Sequence, residues 1–235
     1  MALTALPSPA DKAELVRAMF DRIAPRYDRL NGILTLRLDR RWRRRAVAAA
    51  ALGPGAVAVD VACGTGDFCE LAAATGARVV GVDFAAGMLA GARRRGVPAA
   101  FVRGDALALP VRDAVADAVT CGFALRNLTA IPPMLAEAAR VLRPGGRLVL
   151  LEVGEPRNPL ARLGHYLYFH RLVPLIGALL ADRRAYAYLP ASVAYLPGPE
   201  ALRGLIAAAG FAAVRTESLG GGAAQLVTAR REGTT

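Results

Sequence analysis

The chain has 235 residues, of which 54% are hydrophobic and 21% are charged, and its formal net charge is +11. Its longest apolar runs are far shorter than the about 20 residues that a membrane-spanning helix needs, so we expect no such helix. The length suits one α/β domain that buries about 70–75% of its unfolded surface. No Pro/Ser/Gly-rich linker divides the chain, which predicts a single domain over residues 1–235.

Two helices are predicted before the first strand. One runs from Pro9 to about Ile23, and a second carries Leu38, Trp42 and the alanines that follow. We expect residues 1–52 to form an N-terminal helical cap on the domain.

The segment VDVACGTGD, Val59 to Asp67, predicts a strand that runs directly into a glycine turn and then a helix. β-branched valines are typical of a buried parallel strand. Gly64 and Gly66 let the backbone turn where a side chain would collide with a ligand. The helix that starts near Asp67 points its first N–H groups into the turn. This arrangement predicts a nucleotide-sized cofactor site.

Two cofactor classes use such a turn. The dinucleotide template GxGxxG fails, because the third glycine position counted from Gly64 is Cys69. The other template has an acid at the end of the first strand and a second acid after the next strand, and Asp60 and Asp83 match it. This pattern is similar to that of S-adenosylmethionine-dependent methyltransferases, in which Asp83 would accept hydrogen bonds from both ribose hydroxyls.

Three more strands are predicted downstream. Residues 99–102 precede GDALALPV, and in methyltransferases of this kind an acid at the position of Asp105 holds the adenine amino group. A fourth strand ends near Gly122, and residues 140–152, RVLRPGGRLVLLE, predict a helix end, a Pro-Gly-Gly turn and a fifth strand. The strand ends bring small or acidic residues to one edge of an open α/β sheet, where ligands bind.

The segment from Leu160 to Ala181 has apolar side chains at helical spacing, mixed with two histidines. This pattern predicts either a lid or wall for a lipid tail, or an ordinary amphipathic helix packed on the sheet.

The positive charge is densest in RLDRRWRRR, residues 37–45. A solvated helix face, nucleic acid and an anionic membrane are the alternatives. The segment has one aromatic residue, and the chain lacks an Asn/Asp-Pro-Pro-aromatic motif, so we expect no nucleic acid partner. Because each arginine near an anionic surface contributes about 1 kcal/mol, the segment favours peripheral contact with an anionic membrane.

Three cysteines without a signal peptide predict a reduced, cytoplasmic protein, at most peripheral at the inner face of the cell membrane. We expect no metal, because Cys63 and Cys69 lack the spacing of a ligand pair and both histidines lie far along the chain.

Five segments are more specific than the glycine turn: YDRLN with Trp42 downstream, VACGTGD, GFALRNLT, ARVLRPGGRLVLLE and YFHRLVPLIGALLADRRAYAYLPASV. On these segments the chain resembles the ubiquinone/menaquinone biosynthesis C-methyltransferase family over nearly its whole length. The resemblance implies a doubly wound, seven-stranded, mostly parallel sheet of the Rossmann-like class I methyltransferase type. It also implies a helical, substrate-covering insertion after the fifth strand, at residues 156–198.

The resemblance further implies S-adenosylmethionine as donor and methylation of a ring carbon on a polyprenyl hydroquinone, with demethylmenaquinol favoured as acceptor. Carried over by motif, the residues that would hold the cofactor are Thr65, Asp83, Asp105, Ala106 and Gly122, beside Asp60, Gly64 and Gly66 of the turn. Tyr27, Arg126 and Asn127 would face the substrate.

The chain departs from the family signatures at three positions. The first signature expects Ser and His where this chain has Thr35 and Asp39, and the second expects Ser where Gly154 stands. These departures keep one alternative open, a methyltransferase of the same lineage that acts on a specialised metabolite. A second alternative is a cofactor-binding protein without methyl transfer, against which the intact Arg126-Asn127 pair argues.

The expected chemistry requires the reduced quinol, because loss of a phenolic proton makes the ortho carbon nucleophilic. Arg126 would stabilise the resulting oxyanion, but it stays protonated and cannot be the base. A water held by Arg126 and Asn127, or the Tyr27 hydroxyl, would relay the proton. Gly220 to Gly222 predict either a hairpin turn or the edge of a homodimer.

Overall fold

The computed structural model describes residues 9–35, 37–156, 158–168 and 192–233. Its strands are β1 Val57–Val61, β2 Arg78–Asp83, β3 Ala100–Arg103, β4 Ala116–Gly122, β5 Leu142–Val153, β6 Phe211–Leu219 and β7 Ala224–Arg231. They form one seven-stranded sheet in the order β3-β2-β1-β4-β5-β7-β6. Strands β1 to β5 pair in parallel, whereas β7 is antiparallel to both β5 and β6.

The helices in the described part are α1 Pro9–Ile23, α2 Tyr27–Leu34, α3 Leu38–Ala50, α4 Asp67–Ala73, α5 Ala86–Arg94, α6 Ile131–Val141, α7 Pro159–Leu167 and α8 Pro199–Ala208. Short 3-10 turns lie at Ala24–Arg26, Leu125–Asn127, Val193–Tyr195 and Gly220–Gly222. The two helices predicted near the N terminus correspond to α1 and α3. Helix α2, which carries the YDRLN segment, was not predicted as an element of its own.

Helices cover both faces of the sheet, because its central strands are apolar on both sides. On one face, α6 and α8 contribute Leu135 and Ile206 to a fully buried cluster. On the other face, Val47 of α3 and Phe68 of α4 pack against Val149 of β5. The predicted fold, a doubly wound and mostly parallel sheet of seven strands, is therefore confirmed.

The predicted Pro-Gly-Gly turn lies inside β5 rather than ahead of it. Pairing with β4 moves from Ala116 opposite Leu142 to Ala118 opposite Arg147, so the intervening residues bulge out of register. Gly145 has a φ of 77°, which glycine adopts without strain. The turn chemistry was correct, but β5 continues through the bulge.

Helix α7 lies at the start of the predicted insertion, residues 156–198. Residues 169–191 of that insertion, with most of the Leu160 to Ala181 segment, are outside the described residues. Within the described ranges, no helix is long and apolar enough to cross a membrane.

Candidate active site

A cavity opens at the carboxyl ends of β1, β2 and β4, beneath the N-terminal helices. It contains about 790 Å³ of space, including open solvent at its mouth. Of the predicted site residues, it is lined by Tyr27, Gly64, Asp83, Asp105, Ala106, Gly122 and Asn127.

A smaller cavity adjoins the first, and the predicted residues Asp60 and Thr65 line this second space. Four residues line both cavities: Tyr27, Ala62, Gly64 and Gly122. Arg126 does not line either one. The structure therefore brings most of the predicted residues together, but it distributes them over two connected spaces.

The glycine turn is tied directly to the acid at the end of β2. Gly64 and Gly66 have φ values of 56° and 87°, in the left-handed region that favours glycine. The Gly64 amide donates to Asp83 Oδ2 at 2.8 Å, and the Ala85 amide donates to Asp83 Oδ1 at 2.8 Å. Each carboxylate oxygen accepts more than one hydrogen bond, so Asp83 can still receive hydroxyl donors from the cavity.

Asp105 follows β3, the edge strand of the sheet, and lines the larger cavity. Its Oδ1 accepts the amide of Leu107 at 2.9 Å, which fixes the carboxylate beside Ala106. The side chain is exposed, so its other oxygen is free to accept a donor from a ligand.

Asp60 is buried under the turn rather than exposed to the larger cavity. It accepts hydrogen bonds from Thr120 Oγ1 at 2.7 Å and from Cys69 Sγ at 3.5 Å. Burial raises the pKa of this carboxyl to about 7, although the two hydrogen bonds oppose the shift. The geometry makes Asp60 a support for the turn that also reaches the smaller cavity.

Thr65 connects the turn to the N-terminal helices. Its hydroxyl donates to Asp28 Oδ1 at 2.5 Å, so the side chain already has a partner from α2. Arg95 donates to the Thr65 carbonyl at 3.0 Å and pairs with Asp67 at 2.8 Å and Glu70 at 2.6 Å. These contacts hold α2, and with it Tyr27, against the cofactor turn.

Arg126 is buried and directed at the end of β5. Its Nη1 donates to Glu152 Oε1, while Arg126 Nε and Glu152 Oε2 are buried without a hydrogen-bond partner in the described structure. Asn127 and Tyr27 line the larger cavity instead. Burial also raises the pKa of Tyr27.

Gly122, the last residue of β4, lines both cavities. A Cβ atom built there would lie 2.3 Å from Cε2 of Phe68 and 3.2 Å from Nη1 of Arg43. Glycine is therefore required for the approach of these two side chains.

Comparison with known proteins identifies the family. The model of the ubiE/COQ5 methyltransferase family matches residues 9–231. This chain belongs to that family.

Its relatives match over nearly their full length. A demethylmenaquinone methyltransferase of Roseiflexus sp. (strain RS-1) is 48% identical over 99% of this chain and 100% of its own. The protein of the same name from Thermus thermophilus is 47% identical over 88% of this chain and 97% of its own. Sequence identities this high over most of both chains establish a shared family.

A solved structure supports the fold. A SAM-dependent methyltransferase from Thermotoga maritima, described as a possible histamine N-methyltransferase, superposes with a TM-score of 0.65 at 22% identity. The superposition covers 92% of this chain and 100% of the Thermotoga protein. Family membership and this fold confirm the prediction of an S-adenosylmethionine-dependent methyltransferase.

The departures from the family signatures have local explanations. Thr35 Oγ1 donates to Asp39 Oδ1 at 2.6 Å, so two of the unusual residues are partners of each other. A Cβ atom on Gly154 would lie 2.5 Å from the carbonyl oxygen of Gly222, which leaves no room for the expected serine. The turn at Gly220–Gly222 is also packed within the chain, because a Cβ on Gly220 would lie 2.7 Å from Trp42.

Sequence reasoning missed four charged residues of the site: Asp28, Arg43, Arg95 and Glu152. Asp28 was visible in the YDRLN segment, beside Tyr27. Nothing in the local sequence could have paired it with Thr65, which lies 37 residues away. The same holds for Glu152, which is 26 residues from Arg126.

Proposed function

We propose that this chain transfers the methyl group of S-adenosylmethionine to a ring carbon of a demethylmenaquinol. The observation that carries the proposal is that Tyr27 and Asn127, the substrate-side residues, line the same cavity as Asp83 and Asp105, the cofactor-side residues. The names of the Roseiflexus and Thermus relatives support this acceptor.

On the cofactor side, S-adenosylmethionine supplies an activated methyl group on a sulfonium sulfur when it is bound. Asp83 accepts the ribose hydroxyls, and Asp105 with Ala106 holds the adenine. The residues at the other end are Gly64, Gly66, Gly122, Asp60 and Thr65. A Cβ on Gly64 would meet no protein atom within 4 Å, so this glycine leaves space for the ligand, whereas Gly66 and Gly122 allow close packing of neighbouring side chains. Asp60 and Thr65 hold the turn through their hydrogen bonds to Thr120 and Asp28. The free acceptor positions of the two carboxylates fit such a ligand.

On the substrate side, the ring carbon becomes nucleophilic when a phenolic proton leaves, and a nearby cation stabilises the oxyanion. Arg126 lines neither cavity and its guanidinium pairs with Glu152, so its charge would act on the oxyanion only from behind the cavity wall. Because the pKa of Tyr27 is raised by burial, its hydroxyl stays protonated at neutral pH and acts as a hydrogen-bond donor to the oxyanion. A water held by Asn127, which lines the larger cavity, accepts the proton.

The chain acts as a single methyltransferase domain, with residues 1–52 as a cap and residues 156–198 as the substrate-covering insertion. The contacts of Asp28 with Thr65 support the role of the cap. Light scattering of the purified protein distinguishes a monomer from a homodimer, the alternative that the glycines at 220–222 left open.

The polyprenyl tail keeps the proposed substrate in the lipid bilayer, so the protein must collect the quinol there. Leu160 and Leu163 of α7 are exposed, as are Arg40 and Arg41 of α3. We propose that the cytoplasmic protein uses such residues for peripheral contact with the anionic inner face of the cell membrane. Co-sedimentation with phosphatidylglycerol vesicles, but not with phosphatidylcholine vesicles, is the expected result, and binding to neither contradicts it.

The activity is tested by mass spectrometry of purified protein with S-adenosylmethionine and a short-chain demethylmenaquinol. One sample is kept reduced with dithionite, and a second contains the oxidised quinone. We expect methylated product only in the reduced sample, and a strong loss of product in Tyr27→Phe with little loss of cofactor binding.

Cofactor binding without methylation of any quinol would overturn the proposed acceptor and favour a specialised metabolite. The Thr35 and Asp39 positions are then the place to look for altered specificity.

A further inference from the structure

Arg43 of α3 is a buried cation that the proposed reaction has not used. Its side chain is 7% exposed, and its Nε atom has no hydrogen-bond partner in the described structure. Asp39 and Asp67 each lie 3.6 Å from this nitrogen, beyond the usual hydrogen-bond distance. Both contacts are within ion-pair distance, but they leave the buried Nε donor without a hydrogen bond. Because a buried charge is stable only when it is both paired and hydrogen-bonded, the position favours a further acceptor.

The two nearby carboxylates are already engaged elsewhere. Asp39 accepts the hydroxyl of Thr35 at 2.6 Å, and Asp67 accepts Arg95 at 2.8 Å. Each forms an ion pair with Arg43, but neither comes within hydrogen-bond distance of its Nε. The guanidinium instead lies among aromatic rings, 5.4 Å from the centroid of Phe68.

Arg43 lines the smaller cavity together with Gly64 of the cofactor turn. Tyr27 and Gly122 line both this cavity and the larger one, so the two spaces adjoin at the ends of β1 and β4. A buried cation with one unused hydrogen-bond donor therefore lines a space that shares four lining residues with the larger cavity.

The strand order decides which part of the cofactor reaches this space. Asp105 follows β3 and Asp83 ends β2, so adenine and ribose occupy the β3 and β2 side of the site. The next strands in the sheet are β1 and β4, where Arg43 lies against Gly122. The amino acid end of the cofactor extends in this direction.

We propose that Arg43 binds the α-carboxylate of the methionine part of S-adenosylmethionine. Arginine presents several N–H donors in a planar fork that matches a carboxylate, and charge-assisted pairs of this kind are the strong ones. This inference rests on the proposed function, because it takes S-adenosylmethionine as the ligand.

The test compares two ligands that differ only in the carboxylate. Isothermal titration calorimetry gives the Kd of S-adenosylhomocysteine and of its decarboxylated analogue for the parent protein and for Arg43→Gln. Arg44→Gln is the matched control, since Arg44 is exposed on the same helix and its substitution removes the same charge.

We expect Arg43→Gln to weaken S-adenosylhomocysteine by about 10- to 150-fold, the range for a hydrogen bond to a charged group. The decarboxylated analogue should bind the variant and the parent protein equally, and Arg44→Gln should change neither ligand. Arg43→Lys keeps the positive charge but loses the planar guanidinium. We therefore expect an intermediate loss of affinity for S-adenosylhomocysteine and none for the decarboxylated analogue. If Arg43→Gln does not fold, the result with Arg43→Lys tests the assignment.

An equal loss for both ligands, or no loss for either, overturns the assignment of Arg43. Failure of the parent protein to bind S-adenosylhomocysteine would instead contradict the proposed function. The two failures are therefore distinguishable.

Discussion

Gly122→Ala tests the close packing between the two cavities. The added Cβ would lie 2.3 Å from Cε2 of Phe68, whereas carbon atoms in contact lie about 3.5–4.0 Å apart. The ring must therefore move by more than about 1 Å. It is only 2% exposed, so it must displace its neighbours or enter the smaller cavity that it lines. Such overpacking costs about 1–3 kcal/mol.

At about 2–4 °C per kcal/mol for a chain of this size, Tm should fall by roughly 2–12 °C, as measured by differential scanning calorimetry. Gly204→Ala is the control, because Gly204 is exposed on α8 and its Cβ would meet nothing within 4 Å. That substitution should leave Tm unchanged or raise it, since alanine favours a helix more than glycine.

The double variant Phe68→Leu with Gly122→Ala should lose less stability than the sum of the two single changes, because a smaller side chain at position 68 relieves the overlap. Full additivity, or a Gly122→Ala protein as stable as the parent, would refute this account of the packing.

Three other perturbations follow from the charged residues. Because burial raises the pKa of Asp60 to about 7, the stability from its protonated form is lost as the pH rises through that value. The stability of Asp60→Asn relative to the parent should therefore rise from about pH 4, the ordinary pKa of the carboxyl, to about pH 7 and stay level above that, as measured by urea titrations. Arg126→Gln and Glu152→Gln should each cost about 3–5 kcal/mol, because each leaves a buried partner unpaired, and the double variant should recover much of this in a double-mutant cycle. Asp28→Ala should lower the free energy of unfolding by less than about 1 kcal/mol, because the contacts of Asp28 with Thr65 and Arg95 are partly exposed. It should nevertheless speed the hydrogen exchange of the amides of Tyr27–Leu34. Unchanged exchange would show that Asp28 does not hold the cap.

The elements that the sequence predicted well are those with local signals. The valines of β1, the two glycines of the turn and the acid at the end of β2 each depend on neighbours within a few residues. Asp83 was therefore placed correctly beside the turn, and its 2.8 Å contact with the Gly64 amide follows from that placement.

The pairing of distant side chains could not be predicted in this way. Arg126 was expected at the face of the site, but its guanidinium is held by Glu152 from a neighbouring strand end. Arg43 belongs to a run of five arginines and one tryptophan that resembles a solvated face. Only the packing of α3 against β4 and β5 distinguishes the buried member of that run from its exposed neighbours.

The position of β7 has a consequence for the order in which the sheet assembles. β6 pairs with β7 alone, so it has no place in the sheet until Ala224–Arg231 has bound along β5. Although β6 precedes β7 in the chain, the two must therefore join as one hairpin. The docking of this hairpin on β5 joins residues that are far apart in the chain, and such pairing slows folding. Proteolytic loss of the last strand would release the strand before it as well.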